Sequence, residues 1–103
     1  MYILDMGKEC FVYIMCNKTN SVLYTGVTSN LVKRKYQHTT HTIKGGFTDK
    51  YKCGKLVWYQ IFNNIEDAIA EEKRIKGGSR QQKIDLIKAS NLERNDLWEG
   101  IIG

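Results

Sequence analysis

The chain has 103 residues, 42% hydrophobic and 26% charged, which is the composition of one globular domain with a single modest core. No stretch approaches the length of a membrane-spanning helix, and the N-terminus lacks the charged and apolar regions of a signal peptide. The three cysteines are odd in number and form no CxxC pair, which argues against a disulfide framework and a zinc site. We therefore expect a cytoplasmic protein without a membrane partner.

Positive charge is concentrated in the middle of the chain. Residues 17–92 contain 14 Lys or Arg and 6 Asp or Glu, a net charge of +8, whereas the whole chain carries +5. The two ends are therefore acidic. Such a charge distribution favours a polyanionic partner such as nucleic acid, with a generic basic surface as the alternative.

The first segment predicts a β-hairpin. Aromatic and β-branched residues at 11–16 and 22–28 indicate two strands, and residues 17–21 form a polar turn between them. A loop of two or four residues places Tyr13 directly opposite Tyr24 on one face of the sheet. The two tyrosines then either stabilise the sheet as a cross-strand pair or use their hydroxyl groups to hold a phosphate and a water.

A helix follows the hairpin. Ser29 or Asn30 can cap a helix from Leu31 to about His38. One face of this helix carries Leu31, Arg34, Lys35 and His38. Because Leu31 indicates the inward side, Arg34 and His38 are expected at the rim of the core, where an arginine can bind phosphate oxygens. A solvated basic face is the alternative. Residues 39–54 form a long polar loop.

The second half predicts one strand and two capped helices. The strand covers residues 56–62. Asn64 opens the first helix in a variant of the capping box, and the glycine pair at 77–78 ends it. Ser79 opens a second capping box and a helix that runs to Ala89. Four apolar residues of the tail are expected to dock on the core: Leu92, Leu97, Trp98 and Ile101.

Glu72 interrupts the apolar stripe of the first of these helices. The stripe consists of Ile65, Ala68, Ile69, Glu72 and Ile75, at the spacing of a core-facing helix surface. Desolvating a carboxylate is costly unless it has a partner, so Glu72 is a candidate metal ligand or acid–base group. A structural ion pair with Arg34 or with a lysine at the edge of the stripe is the alternative.

Taken together, these residues resemble the GIY-YIG nuclease superfamily, in its small stand-alone branch related to the nuclease domain of the excision-repair nuclease subunit. The matching segments are Phe11-Val12-Tyr13, Tyr24-Thr25-Gly26, Arg34 with His38, Phe47 to Tyr51, Ala70 to Gly77, Ser79 to Asn91, and Asp96-Leu97-Trp98. The two motif tyrosines are eleven residues apart, as in the family. Phe11 stands where the family has its first glycine, a replacement that is common in this branch.

The resemblance implies a fold of the α/β class, an α+β sandwich. It consists of a small three-stranded antiparallel sheet flanked by helices, in the order β-β-α-β-α-α. We expect an N-terminal extension at residues 1–9, a GIY-YIG nuclease-like domain at 10–91, and a C-terminal tail at 92–103 packed on the domain.

The resemblance also implies a metal-dependent endonuclease that hydrolyses DNA phosphodiester bonds in repair, recombination or DNA turnover. Glu72 would hold a divalent metal, with magnesium expected and manganese as the alternative. Tyr13 would orient or deprotonate the attacking water, and Tyr24 would hydrogen-bond the water or the phosphate. Arg34 would stabilise developing negative charge. His38 would transfer protons or support another residue.

The remaining site residues are expected at the nucleic-acid surface: Gly26, Lys33, Lys35, Lys50, Lys73 and Lys76. The expected partner is DNA, with RNA as the alternative. A protein partner that directs the domain to its substrate is a further alternative.

Two other functional hypotheses stand beside the nuclease. One is a nucleic-acid-binding module with weak or partner-dependent cleavage, and the other is an interaction domain in which the tyrosines and Glu72 are structural.

Overall fold

The computed structural model describes residues 9–40 and 53–101, with the side chains of residues 38–40 excepted. In chain order the elements are β1 (Cys10–Cys16), β2 (Leu23–Thr28), α1 (Leu31–Thr40), β3 (Lys55–Phe62), α2 (Ile65–Lys76), α3 (Arg80–Ser90) and a 3-10 helix (Leu97–Gly100). This order confirms the predicted fold class. Most of the predicted loop at 39–54, including the segment from Phe47 to Tyr51, lies outside the described residues.

The three strands form one antiparallel sheet in the order β2-β1-β3, with β1 at its centre. The predicted hairpin register is wrong by two residues, because Tyr13 lies opposite Gly26 and Tyr24 lies opposite Met15. A slip of two residues leaves every side chain on its predicted face, since side chains alternate with a period of two. Tyr13 and Tyr24 therefore still share a face.

The side chain of Asn17 explains the observed register. The backbone N–H of Asn17 donates to the carbonyl of Val22 at 3.3 Å, which closes a loop of residues 18–21. The Asn17 Oδ1 atom accepts hydrogen bonds from the backbone N–H groups of Ser21 at 2.8 Å and Val22 at 3.2 Å. Asn20 takes a positive φ of 62°, a conformation that asparagine tolerates better than most residues. The loop thus covers residues 18–21, so it begins one residue later than the predicted turn at 17–21.

Each face of the sheet has its own core. The first core joins the inward residues of α2 and α3 to the sheet, and it includes Val12, Ile14, Val57, Trp58, Ala68, Ile75 and Ile87. The second core lies under α1 and the 3-10 helix, and it includes Tyr13, Met15, Leu31, Cys53, Leu56 and Trp98. Because Tyr13 belongs to the second core, the proposed catalytic tyrosine is also a packing residue.

The helix caps follow the sequence prediction. The side chain of Asn64 accepts a hydrogen bond from the backbone of Asp67, and Ser79 with Gln82 forms a reciprocal capping box. For α1 the cap is Asn30, whose Oδ1 atom accepts from the Lys33 N–H at 2.9 Å. These short polar contacts fix where the helices begin, and therefore which residues face the sheet.

The apolar stripe predicted for α2 is only partly buried. Ala68 and Ile75 are buried in the first core, but Ile65 is 42% exposed and Ile69 is 37% exposed. The helix crosses the sheet and contacts all three strands. It therefore buries a narrower surface than its periodicity suggests, and Glu72 lies at the margin of the buried strip.

The C-terminal tail covers the start of β3. The indole Nε1 of the buried Trp98 donates to the Gly54 carbonyl at 3.0 Å. The carboxylate of Asp96 accepts from the backbone N–H of Leu56 at 3.2 Å, on β3, which is an edge strand of the sheet. Leu92 is 71% exposed, so the prediction that it docks on the core is wrong.

Within residues 9–40 and 53–101, no helix has the length and apolar character needed to cross a bilayer.

A bulge in β3 depends on one buried side chain. Tyr59, Trp58 and Leu56 each pair with a residue of β1, whereas Val57 is passed over in the register. The Val57 carbonyl accepts a hydrogen bond from Asn91 Nδ2 at 3.1 Å. The side-chain amide of Asn91 also donates to the Asn95 carbonyl at 2.8 Å. Asn91, only 6% exposed, thus joins the bulge to the end of α3.

Replacing Asn91 by Ala is expected to lower the free energy of unfolding by about 2 kcal/mol, because it leaves buried backbone groups without partners. Urea denaturation followed by circular dichroism measures this change. The exposed Asn63 serves as the control, since Asn63→Ala is expected to cost less than about 0.5 kcal/mol. Equal effects of the two substitutions would contradict the structural role of Asn91.

Candidate active site

The ring of Tyr13 lies against the backbone of β2 at Gly26. A Cβ atom added at Gly26 would be 2.6 Å from both the Cζ and hydroxyl atoms of Tyr13, and 3.0 Å from Cε2 of Tyr24. Carbon atoms do not approach this closely, and Tyr13 is only 1% exposed, so its ring has little room to move aside. Glycine is thus required at position 26 because it leaves space for the tyrosine.

Tyr24 lies beside this packed ring. The ring centroids of Tyr13 and Tyr24 are 6.3 Å apart and their planes are tilted by 48°. This is an ordinary distance for an aromatic pair, and it fits the diagonal placement that follows from the register. Tyr24 is half-buried, so the site opens toward solvent on the side of Tyr24.

Arg34 approaches the tyrosines from α1. Leu31, which packs in the same core as Tyr13, places the first turn of the helix against the sheet. Arg34 is half-buried, and its Nε atom is buried without a hydrogen-bond partner among the described residues. Buried guanidinium donors normally have an acceptor. An unpaired donor next to Tyr13 is therefore suited to an anionic ligand.

Glu72 reaches the site from α2. Its side chain is 12% exposed, and its Oε2 atom is 2.6 Å from Nζ of Lys76. The same ammonium lies 6.0 Å from the ring centroid of Tyr24. The lysine at the edge of the stripe, one of the two alternatives for Glu72, is thus its partner in this structure. The sequence does contain a signal for this ion pair, because a glutamate and a lysine four residues apart on a helix lie next to each other.

The four groups interact electrostatically. Burial raises the pKa of Tyr13 to about 12, the positive charge of Arg34 opposes this rise, and Tyr24 and Glu72 add to it. The charge of Arg34 lowers the pKa of Tyr13, but the effect of burial is larger. Tyr13 is therefore a neutral phenol near pH 7, able to donate and accept hydrogen bonds but poorly able to take a proton.

The described residues contain no group of three or more His, Cys, Asp and Glu side chains that could hold a metal. Glu72 is nevertheless a suitable single ligand, because it is a half-buried carboxylate beside the tyrosines. Magnesium is commonly held by one or two carboxylates, with water and substrate phosphates completing its coordination. The donor set thus fits a cation that binds jointly to protein and substrate.

The other predicted site residues are distributed around this centre. Lys33 and Lys73 are exposed on α1 and α2. Lys35 is half-buried, and its Nζ atom donates to the Ile101 carbonyl at 2.8 Å, so it holds the C-terminal segment. The side chain of His38 and the whole of Lys50 lie outside the described part of the chain. Their roles stay predictions.

One basic cluster was not anticipated from the sequence. Arg80 and Arg94 both donate to the carbonyl of Asn20, at 3.3 Å and 3.1 Å, at the turn end of the hairpin. Arg80 falls within the matching segment that begins at Ser79, but neither arginine was predicted to be a site residue. Because they lie in different elements, no sequence spacing signals that they meet.

Comparison with known proteins identifies the family of the chain. The GIY-YIG catalytic domain model matches residues 9–85. A UPF0213 protein of Clostridium perfringens is 37% identical over 95 residues, covering 88% of this chain and 96% of that protein. A UPF0213 protein of Staphylococcus haemolyticus is 38% identical over 84 residues, covering 81% and 98%.

A solved structure also resembles the chain. The solution NMR structure of a UPF0213 protein from Bacillus halodurans superposes with a TM-score of 0.55 at 26% identity, covering 85% of this chain and 92% of that one. The domain match and the two relatives each span most of the sequence. The chain therefore belongs to the GIY-YIG family of nuclease domains, among the small stand-alone proteins named UPF0213.

Proposed function

We propose that the protein is a metal-dependent endonuclease that hydrolyses phosphodiester bonds of DNA, in repair, recombination or DNA turnover. The observation that carries the proposal is that side chains from three other elements lie near Tyr13. The ring of Tyr24 is beside its ring, and the charges of Arg34 and Glu72 both act on its phenol. A structural role explains the packed tyrosines and the paired glutamate. It does not explain the buried Nε atom of Arg34, which has no partner among the described residues.

Arg34 would bind the scissile phosphate. Its Nε atom is already desolvated, and it breaks no hydrogen bond to the described part of the chain when it binds a phosphate oxygen. As negative charge develops on the phosphate, a fixed cationic donor stabilises the transition state more than the ground state.

Tyr13 and Tyr24 would hold and orient the attacking water. Because Tyr13 is neutral, its hydroxyl positions a water rather than acting as a strong base. Its ring is held between Gly26 and the second core, so the hydroxyl has a fixed position. Tyr24 is more exposed and would reach either the same water or a neighbouring phosphate oxygen.

Glu72 would hold the divalent cation, with magnesium expected. When bound, the cation supplies an acidic water and neutralises charge on the phosphate and the leaving oxygen. Binding to DNA would come from the basic surface, including Lys33, Lys73 and Lys76, so it is expected to weaken as salt concentration rises.

Replacing Glu72 by Gln is expected to reduce cleavage by about a hundredfold or more, because the amide binds a divalent cation poorly. Folding and DNA binding are expected to persist. The assay is magnesium- or manganese-dependent cleavage of a panel of DNA structures, with binding followed by fluorescence anisotropy in calcium.

Glu71 provides the matched control for that experiment. It is adjacent on α2 but pairs with Arg74, whose NH2 atom is 2.5 Å from its Oε2 atom. Glu71→Gln is expected to cleave like the wild type. Equal losses in both variants, or normal cleavage by Glu72→Gln, would contradict the proposed role of Glu72. Folded wild-type protein that binds DNA but cuts none of the panel would favour a binding module.

Replacing Gly26 by Ala is expected to reduce cleavage by at least tenfold, because the new Cβ displaces the Tyr13 ring from β2. Overpacking of this kind also costs about 1–3 kcal/mol of stability. Gly54→Ala is the control, since a Cβ at position 54 meets no atom within 4 Å. Cleavage is measured at a temperature where thermal denaturation shows both variants to be folded. Full activity of folded Gly26→Ala would contradict the required packing.

The raised pKa of Tyr13 predicts a loss of stability at alkaline pH. Between about pH 10 and 12 the unfolded chain releases the phenolic proton while the folded chain keeps it. Wild-type stability, measured relative to Tyr13→Phe, should be constant below about pH 9 and should fall by about 1.4 kcal/mol per unit above pH 10.

Urea denaturation of the two proteins across this pH range measures the difference. Tyr36→Phe is the control, because Tyr36 is 61% exposed. A wild-type advantage that does not change above pH 10 would show that Tyr13 ionises normally. The phenol would then be available as a base at lower pH than its burial implies.

A further inference from the structure

The two side chains of the Glu72–Lys76 ion pair differ in their exposure to solvent. The carboxylate side chain is 12% exposed, whereas the lysine side chain is 51% exposed. Glu72 is thus held at the margin of the core while its cationic partner reaches it from solvent. A lysine has a flexible stem and a single charged group, so it can leave one oxygen without rearrangement of the helix.

The neighbouring pair on the same helix differs. Arg74 contacts both oxygens of Glu71, with Nε to Oε1 at 2.8 Å and NH2 to Oε2 at 2.5 Å. This two-point contact occupies the whole carboxylate. Lys76 meets Glu72 as a single ammonium group, 2.6 Å from Oε2, and lies 6.0 Å from the Tyr24 ring centroid, within the site itself. A single ammonium on a flexible stem holds a carboxylate less rigidly than a guanidinium fork does, so Glu72 is released more easily than Glu71.

We propose that Lys76 occupies the cation position at Glu72 in the free protein and moves to a phosphate of the DNA backbone when divalent metal and DNA bind. The proposal rests on the proposed function and adds a regulation of the same site. An ammonium at 2.6 Å and a divalent ion cannot share this carboxylate closely, because their like charges repel at short range.

This exchange couples metal binding to DNA binding. A phosphate that attracts Lys76 leaves Glu72 open to the metal, and a metal at Glu72 releases Lys76 to the phosphate. Such coupling is reciprocal, so each ligand strengthens the binding of the other by the same factor. The free protein would consequently bind metal weakly and assemble its site only on substrate.

The test is the affinity of the DNA-free protein for manganese ions, measured by electron paramagnetic resonance of the free ion. Lys76→Met removes the charge and keeps the length of the side chain, and it is expected to bind manganese about three- to tenfold more tightly than the wild type. Lys76→Arg keeps the charge and should stay within about twofold of the wild type.

Arg74→Met is the control for net charge, because it removes one positive charge from the same helix without touching Glu72. It is expected to leave manganese affinity within about twofold of the wild type. Glu72→Gln should abolish the site. Thermal denaturation confirms that each variant is folded before its affinity is compared.

The outcomes separate the two proposals. If Glu72→Gln loses manganese binding but Lys76→Met binds like the wild type, the exchange is wrong and the nuclease proposal stands. Equal gains in Lys76→Met and Arg74→Met would also overturn the exchange, since the effect would then be one of net charge. If the wild type and Lys76→Met both fail to bind manganese, the exchange is wrong, and so is metal binding by Glu72 in the free protein.

A second measurement follows the lysine to the DNA. Calcium is expected to strengthen DNA binding by the wild type by a larger factor than it strengthens binding by Lys76→Met, as measured by fluorescence anisotropy. Equal factors in the two proteins would overturn the transfer of Lys76 to phosphate.

Discussion

The arrangement of the site depends on the contact between the ring of Tyr13 and the bare backbone of Gly26. This contact fixes the tyrosine across the sheet, and it is compatible with only one register of the hairpin. That register in turn sets Tyr24 on the diagonal, with its ring centroid 6.3 Å from that of Tyr13. The side chain of Asn17, at the far end of the hairpin, selects the register through the turn. Local turn chemistry thus determines the geometry of a site several residues away.

The two cores of the sheet contribute differently to this site. The core under α1 contains Tyr13 itself, so the catalytic candidate is held by the same packing that stabilises the fold. The core on the opposite face anchors α2 through Ala68 and Ile75. Glu72 lies between these anchors in sequence but at the margin of the buried strip. Its carboxylate therefore combines a fixed helix with access to solvent, which a fully buried position would not allow.

Much of the fold could be predicted from the sequence because its signals are local. The caps at Asn64 and Ser79 and the three strands depend on neighbouring residues, and the structure confirms them. The register could not be predicted, since a slip of two residues preserves the alternation of β1 and β2. The exposure of Ile69 was missed because periodicity identifies the apolar face of a helix without showing how much of it is covered. The meeting of Arg80 and Arg94 at the Asn20 carbonyl depends on tertiary structure alone.

The charges at the site give a physical reason why the proposed chemistry needs a cation. Among the described residues nothing accepts from the buried Nε atom of Arg34, so this donor is open to a phosphate. Glu72, however, lies close enough to raise the pKa of Tyr13, so it also repels an arriving anion. In the free protein Lys76 offsets the charge of Glu72 from a distance of 2.6 Å. A phosphate that recruits Lys76 would leave two anionic groups facing each other in a half-buried place, where their repulsion is weakly screened. A divalent cation held by Glu72 would offset that repulsion, whereas a monovalent side chain can serve only one of the two anions at a time.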